Sequence, residues 1–247
     1  MPPDHASQSA RAQLVALADA VSAGRGGRGF EAFADLTTAA NSRAAAVLVL
    51  FGVLDSFPSD HDARADVVSR DLDVLLLKRA STLRTNPGQV AFPGGRIDPD
   101  DEGPVAAALR EAREETGVDL AGVEVLGALE NIPLDYSQHL VTPVLAWWRR
   151  PSPVRVVDEA ESAAVFRAPV ADLLNPANRG VTVIRRDGQE WRGPGFLVRH
   201  ATGEHLVWGF TAMLLDGIFD RLEWTEPWDA TRELPLVLPE VNEARTR

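Results

Sequence analysis

Apolar residues recur along this chain with two periods, and the changes from one to the other mark out the elements. Over residues 12–21, Leu14, Leu17 and Val21 fall at helical spacing, which predicts a helix. Gly24-Arg-Gly-Gly-Arg-Gly29 follows and matches the formal dinucleotide pattern Gly-x-Gly-x-x-Gly. That pattern works between a strand and a helix; here it follows a helix, so it reads as a linker. From Ala45 to Phe51 and from Asp71 to Lys78 the runs are continuous and apolar, as in strands buried on both faces. Asp55 to Arg70, between them, is polar and contains Pro58, and reads as a loop. Gly88 to Gly95 is punctuated by glycine and proline. Residues 104–116 are rich in Ala, Leu, Glu and Arg, with Pro104 suited to the first helical position and Gly117 to the residue past the end. Strands are predicted at 123–130, 140–148, 163–166, 181–185, 190–192 and 195–199, with Asp187-Gly188 as a hairpin turn. A short helix at 170–174 and a longer one at 210–221 complete the list of elements. Strands and helices mixed around one core predict an α/β or α+β fold, a mixed sheet between helices. The division read from this layout is a helical arm and linker at 1–42, a main domain at 43–222 and a tail at 223–247.

Composition removes several chemistries. The chain has 247 residues and no Cys, so disulfides, thiolate zinc sites and cysteine nucleophiles are excluded. Among 25 basic residues only Lys78 is a lysine, and Leu77 precedes it, so the Gly-Lys-Ser/Thr phosphate loop is absent. The five histidines never form His-Glu-x-x-His. A net charge of −11 argues against nonspecific contact with nucleic acid or an anionic membrane. The longest apolar run, Ala44 to Leu54, falls short of the ~18 residues of a spanning helix. Residues 1–11 have no apolar signal core, so the expected compartment is the cytoplasm.

The chemistry lies in the 104–116 helix. Glu111, Glu114 and Glu115 are spaced i, i+3 and i+4 and point to one side. They repel one another by about 0.2–0.5 kcal/mol per pair, and they sit in the last turn, where the helix dipole favours cations. Clustered hard oxygen donors are what Mg²⁺ or Mn²⁺ requires, with a substrate phosphate completing the shell. A solvated Glu/Arg surface helix, with Arg110 and Glu114 as an i,i+4 pair, is the alternative at this point.

The neighbouring residues change the balance. From Glu102, seven residues lead to Arg110, Glu111, Ala112, Arg113, Glu114, Glu115, Thr116, Gly117 and Val118. With Gly95 before it, this segment resembles the box of the Nudix hydrolases. In that box five residues separate the Gly from the Glu. Here six residues separate Gly95 from Glu102, and Arg96 holds the strict glycine position. Upstream, Leu75-Leu-Leu-Lys-Arg79-Ala80, Arg84, Gly88 and Phe92-Pro-Gly-Gly95 resemble the signature of the coenzyme A pyrophosphatase branch, with Leu77 where that branch has Thr. The longer loop is also similar to this branch. Two weaker likenesses lie at 161–174 and at Val207-Trp-Gly-Phe-Thr-Ala212.

The resemblance implies a Nudix fold and cleavage of the diphosphate of CoA or acyl-CoA to 3′,5′-ADP and (acyl-)4′-phosphopantetheine. It implies Mg²⁺ or Mn²⁺ held by Glu111, Glu114, Glu115 and Gly95, with Arg110 beside them. Gly94 and Gly95 would let the backbone approach metal and phosphates. Arg79 and Arg84 would bind phosphate as bidentate donors, unless they are ordinary surface charge. Glu161, or else Glu159, is the candidate general base, with Glu111 as the alternative and His139 as a helper or a structural residue. Phe92 and Leu75–Leu77 are expected in the core, and so is Trp208; Trp147 and Trp148 are open between core packing and stacking on adenine. ADP-ribose, NADH or a nucleoside triphosphate are rival substrates, and a nucleotide-sensing module without catalysis is the rival class. Homodimeric assembly stays open.

Overall fold

Why strand β1 (Arg43–Val53) anchors the molecule is visible in its side chains. Ala46, Leu48 and Leu50 point to one face and Ala45, Val49 and Phe51 to the other, and all six are buried. A strand covered on both faces sits in the middle of a sheet with helices on either side, as its continuous apolar run predicts. A computed structural model describes residues 5–25, 42–53, 58–83, 85–134, 137–186, 188–200 and 203–236. In it β1 pairs antiparallel with β2 (Leu72–Arg79) and β4 (Gly94–Arg96), and parallel with β7 (His139–Trp148). Strands β3 (Val90–Ala91) and β8 (Ser162–Pro169) pair with β2; β5 (Val123–Ala128) and β6 (Ile132–Leu134) pair with β7. The result is a mixed eight-stranded sheet.

Helix α2 (Pro104–Thr116) packs on one face through Ala107, Ala108 and Ala112, against Ala46, Leu48, Leu50 and Leu75. Alanines on that face let the helix lie close to the sheet, and αL Gly117 ends it with φ 69°. The other face carries α1 (His5–Ser22), α3 (Val170–Leu174) and α4 (Gly209–Arg221), packed on Val49, Phe51, Val74 and Leu76. The mixed sheet between helices predicted from the pattern is therefore observed.

A separate antiparallel sheet is formed by β9 (Arg179–Arg186), β10 (Gln189–His200) and β11 (Gly203–Val207). Residues 190–192 and 195–199, read as two strands, are one: Gly193, Pro194 and Gly195 stay in the ladder opposite Thr182, Val181 and Gly180. Arg186 pairs with Gln189 and Gly188 has φ 74°, the backbone a two-residue turn needs; Asp187 lies outside the described residues. The linker after Arg25, the start of the polar loop at 54–57 and the tail from 237 onward also lie outside them. Helix α1 buries Leu14, Leu17 and Ala18 in the same core as α4. Beyond α4, Trp224 stacks on Phe219 and accepts Phe51 edge-on, while its Nε1 donates to Gln13 Oε1 at 2.6 Å. Among the described residues no helix is long and apolar enough to cross a membrane.

Candidate active site

The last two turns of α2 run past β4, and two glycines make the approach. Gly94 has φ 157°, and a Cβ there would lie 2.3 Å from the Ala46 carbonyl oxygen and 2.6 Å from Val47 Cα. At Gly95 a Cβ would lie 2.4 Å from Glu111 Oε1, so the carboxylate occupies the space a side chain would take. The Gly94 N–H donates to Glu115 Oε2 at 2.9 Å. The glycine loop and the carboxylate helix are therefore one structure.

Burial pushes the Glu115 carboxyl up to about 7. The Gly94 N–H and the Arg79 charge oppose that rise, and the charges of Glu111 and Glu161 add to it. Glu111 is also raised, chiefly by burial, against the pull of Arg110. Glu114 is the exposed member. Arg110 forms a fork on Asp101, with Nε–Oδ1 at 3.0 Å and Nη2–Oδ2 at 2.9 Å. It also donates to Glu111 and Glu114, both at 3.1 Å, and to the Arg96 carbonyl at 3.1 Å. Arg110 thus ties the loop between β4 and α2 to two carboxylates and does not line the cleft described next.

That cleft has a volume of about 330 Å³, enough for a small ligand. Glu115, Gly94 and Gly95 form part of its wall, with Arg79, Arg96 and His139 around them. Arg79 ends β2 at a bulge, where the partner register jumps from Lys78↔Ala164 to Arg79↔Ser162. Its Nε is buried and without a hydrogen-bond partner. Glu161 lies just before β8, exposed, and acts electrostatically on Glu115. Burial, with the charges of Arg43 and Arg96, pushes the His139 imidazole below its ordinary value. Arg84 lies outside the described residues.

Two expectations about aromatic residues need correction or settle here. Trp208 is not core: it is half-buried and lines the cleft with Phe210. Trp147 and Trp148, at 8% and 2% exposure, are core residues of β7 and unavailable for stacking. Trp208 sits just before α4, in extended backbone that follows no helical face. The Thr211 hydroxyl, donating to the Val90 carbonyl at 3.0 Å, holds this corner over β3. Phe92 and Leu75–Leu77 are buried as expected. Residues the sequence reading missed are Thr85, Asn86 and Gln89 on the cleft wall; the Asn86-Pro-Gly88 turn was their only signal.

The residues fit a hard divalent cation in chemistry. Glu111 and Glu115 are partly desolvated carboxylates, and the charge of Glu111 raises the proton affinity of Glu115, a repulsion that a cation relieves. Gly95 leaves room for Glu111, and a ladder carbonyl at Gly95 keeps a second lone pair. Among the described residues no three acidic or histidine side chains make a ready-formed cage. The Arg110 guanidinium bridges Glu111 and Glu114.

Comparison with known proteins identifies the chain as a hydrolase of pyrophosphate bonds. The family model described as the NUDIX domain matches residues 60–186, half of the chain, and the chain belongs to the Nudix family. Its members generally use divalent ions such as Mg²⁺ or Mn²⁺. The chain is 36% identical over 151 residues to the "Uncharacterized Nudix hydrolase NudL" of Photorhabdus laumondii, covering 61% of this chain and 77% of that one. It is 37% identical over 153 residues to "Nudix hydrolase 15, mitochondrial" of Arabidopsis thaliana, covering 59% of this chain and 51% of the plant protein. Among solved structures, the NUDIX domain of Shewanella oneidensis NrtR complexed with ADP ribose aligns at 23% identity and a TM-score of 0.40, over 57% of this chain and 80% of that one.

Proposed function

We propose that the protein hydrolyses the diphosphate bond of CoA or an acyl-CoA, releasing 3′,5′-ADP and (acyl-)4′-phosphopantetheine. The observation that carries this reading is the hydrogen bond from Gly94 to Glu115, with Arg79 lining the same cleft. It brings the Leu75–Gly95 signature onto the carboxylate helix, so the residues resembling the CoA branch face those resembling the general Nudix box.

Glu111, Glu114 and Glu115, with the Gly95 carbonyl, would hold Mg²⁺ or Mn²⁺. Bound there, the ion neutralises charge on the diphosphate and on the leaving phosphate. Arg79, on the cleft wall, holds a phosphate oxygen of the substrate with its guanidinium. Glu161 takes the proton from the attacking water, and its exposed carboxylate is free to do so. Arg110 keeps Glu111 and Glu114 in place. Trp208 and Phe210 give the adenine or the pantetheine arm an apolar surface.

The test is incubation with Mg²⁺ and, separately, CoA, ADP-ribose, NADH and dATP, with products resolved by chromatography. Release of 3′,5′-ADP from CoA, faster than turnover of the other three, is the expected result. Preferential cleavage of ADP-ribose or NADH would move the assignment to another nucleoside diphosphate derivative, and no cleavage of any would make the chain a binding module.

A further inference from the structure

A second cavity of about 200 Å³ adjoins the cleft and shares Val90 and Trp208 with it. Leu77 and Arg79 line the cleft, while Lys78, between them on β2, lines the second cavity, as alternation along a strand requires. The partition between the two is thin. Strand β3 has only Val90 and Ala91, and just before it Gln89 faces the cleft while Gly88 faces the second cavity.

Lys78 is the only lysine in a chain of net charge −11. Among the described residues no carboxylate stands within ion-pair distance of it, although it is half-buried. The carboxylate of the same cavity, Glu204, accepts instead from Arg199 Nε at 3.4 Å. A partly desolvated ammonium without a counter-charge is costly to keep, and an anionic ligand removes the cost.

We propose that this second cavity is an anion subsite in which Lys78 receives a phosphomonoester of the same nucleotide whose diphosphate lies in the cleft, with Trp208 as the shared wall. The choice of ligand rests on the CoA reading, since CoA carries a 3′-phosphate besides its diphosphate. A phosphomonoester carries close to two negative charges near neutral pH, which suits the compact charge of a lysine. Arg79 is committed to the neighbourhood of Glu115 in the cleft, and Lys78 is the ammonium on the wall of the second cavity.

The experiment measures binding of adenosine 3′,5′-bisphosphate and of adenosine 5′-monophosphate by calorimetry, to the full chain and to its Lys78→Gln and Lys78→Arg variants. Hydrolysis of CoA and dephospho-CoA is measured in parallel, and melting temperatures check that each variant is folded. Wild type is expected to bind the bisphosphate about ten- to a hundredfold more tightly, the value of one charged hydrogen bond. Lys78→Gln brings the ratio towards one, and Lys78→Arg keeps most of it. Equal binding by wild type, or a preference that survives in folded Lys78→Gln, overturns the subsite. If CoA is cleaved while the preference ignores Lys78, the subsite is wrong and the substrate reading stands. If the preference depends on Lys78 but neither CoA nor dephospho-CoA is cleaved, the substrate reading fails and the subsite stands for another phosphorylated nucleotide.

Discussion

Adjacent glycines that look interchangeable in the sequence should respond to the same mutation in opposite ways. At Gly94 an added methyl meets backbone on both sides, 2.3 Å from Ala46 O and 2.6 Å from Val47 Cα, at a φ of 157°. Neither obstacle can rotate away, so β4 must peel from β1. Strain at such a φ costs about 1–3 kcal/mol, and overpacking another ~1–3 kcal/mol. At about 2–4 °C per kcal/mol for a chain of this size, Gly94→Ala should lower the melting temperature by roughly 4–24 °C. At Gly95 the methyl meets only the end of the Glu111 side chain, 2.4 Å from Oε1 and 2.6 Å from Cδ. That end swings aside for about 0.5–1.5 kcal/mol of rotamer cost, so the melting temperature falls by no more than ~6 °C. The carboxylate is then displaced by an ångström or more, a misplacement worth about 10²-fold in rate. The assay is a thermal melt and a kcat measurement on each variant, with saturating Mg²⁺ and the substrate found by the panel. Gly95→Ala turning over within a fewfold of wild type would refute the role of the Glu111 position. Equal destabilisation by both substitutions would refute the distinction between backbone and side-chain clash.

Three further outcomes follow from the same geometry. Glu115→Gln should reduce kcat by about 10²-fold or more while leaving the melting temperature unchanged or higher, because burial already disfavours the charged form; EDTA should silence wild type, and activity surviving either treatment would remove the metal from the mechanism. Arg110→Met should lower kcat by about ten- to a hundredfold through the loosened Asp101 and Glu111 contacts, and Arg110→Lys should not restore it, since only the planar fork spans Asp101; full rescue by lysine would show that charge alone suffices. Burial pushes Asp73 up to about 7 even with Arg167 2.5 Å away, so its contribution to stability is complete below the ordinary Asp value and is lost as pH rises through 7; the advantage of wild type over Asp73→Asn in thermal melts should shrink from pH 5 to pH 8, and an advantage that stays constant over that range would show Asp73 charged throughout.

The elements that were legible in the sequence are those whose signal is local. Helix α2 runs from Pro104 to Thr116 as predicted because its start, its stop and its alanine face are all written within its own residues. Strands β1 and β2 are legible because burial on both faces leaves continuous apolar runs. Strands β3, β4 and β6, of two or three residues, escaped notice because they exist only through their partners. Gly94-Gly-Arg96 has no strand propensity and is held in the sheet by Ala45, Ala46 and Val47. Glycine and proline at 193–195 predicted a break in β10, but edge-to-edge pairing with β9 carried the ladder through them.

The same distinction divides the candidate site. The carboxylates come from one helix, and their mutual repulsion was readable because i, i+3 and i+4 positions are neighbours whatever the rest of the chain does. The cleft opposite them is assembled from β2, β3, β4, β7 and the corner before α4, and Trp208 reaches it across more than ninety positions of sequence from Glu115. No periodicity encodes such a meeting. What decides it is the Thr211 hydroxyl on the Val90 carbonyl, one bond between the beginning of α4 and a two-residue strand. That bond holds the corner that places Trp208 between the cleft and the Lys78 cavity, so the reach of any ligand beyond the diphosphate is governed by residues outside the Glu102–Val118 box. Specificity can therefore change at this corner while the carboxylate helix, and with it the hydrolysis of phosphoric anhydrides, stays the same.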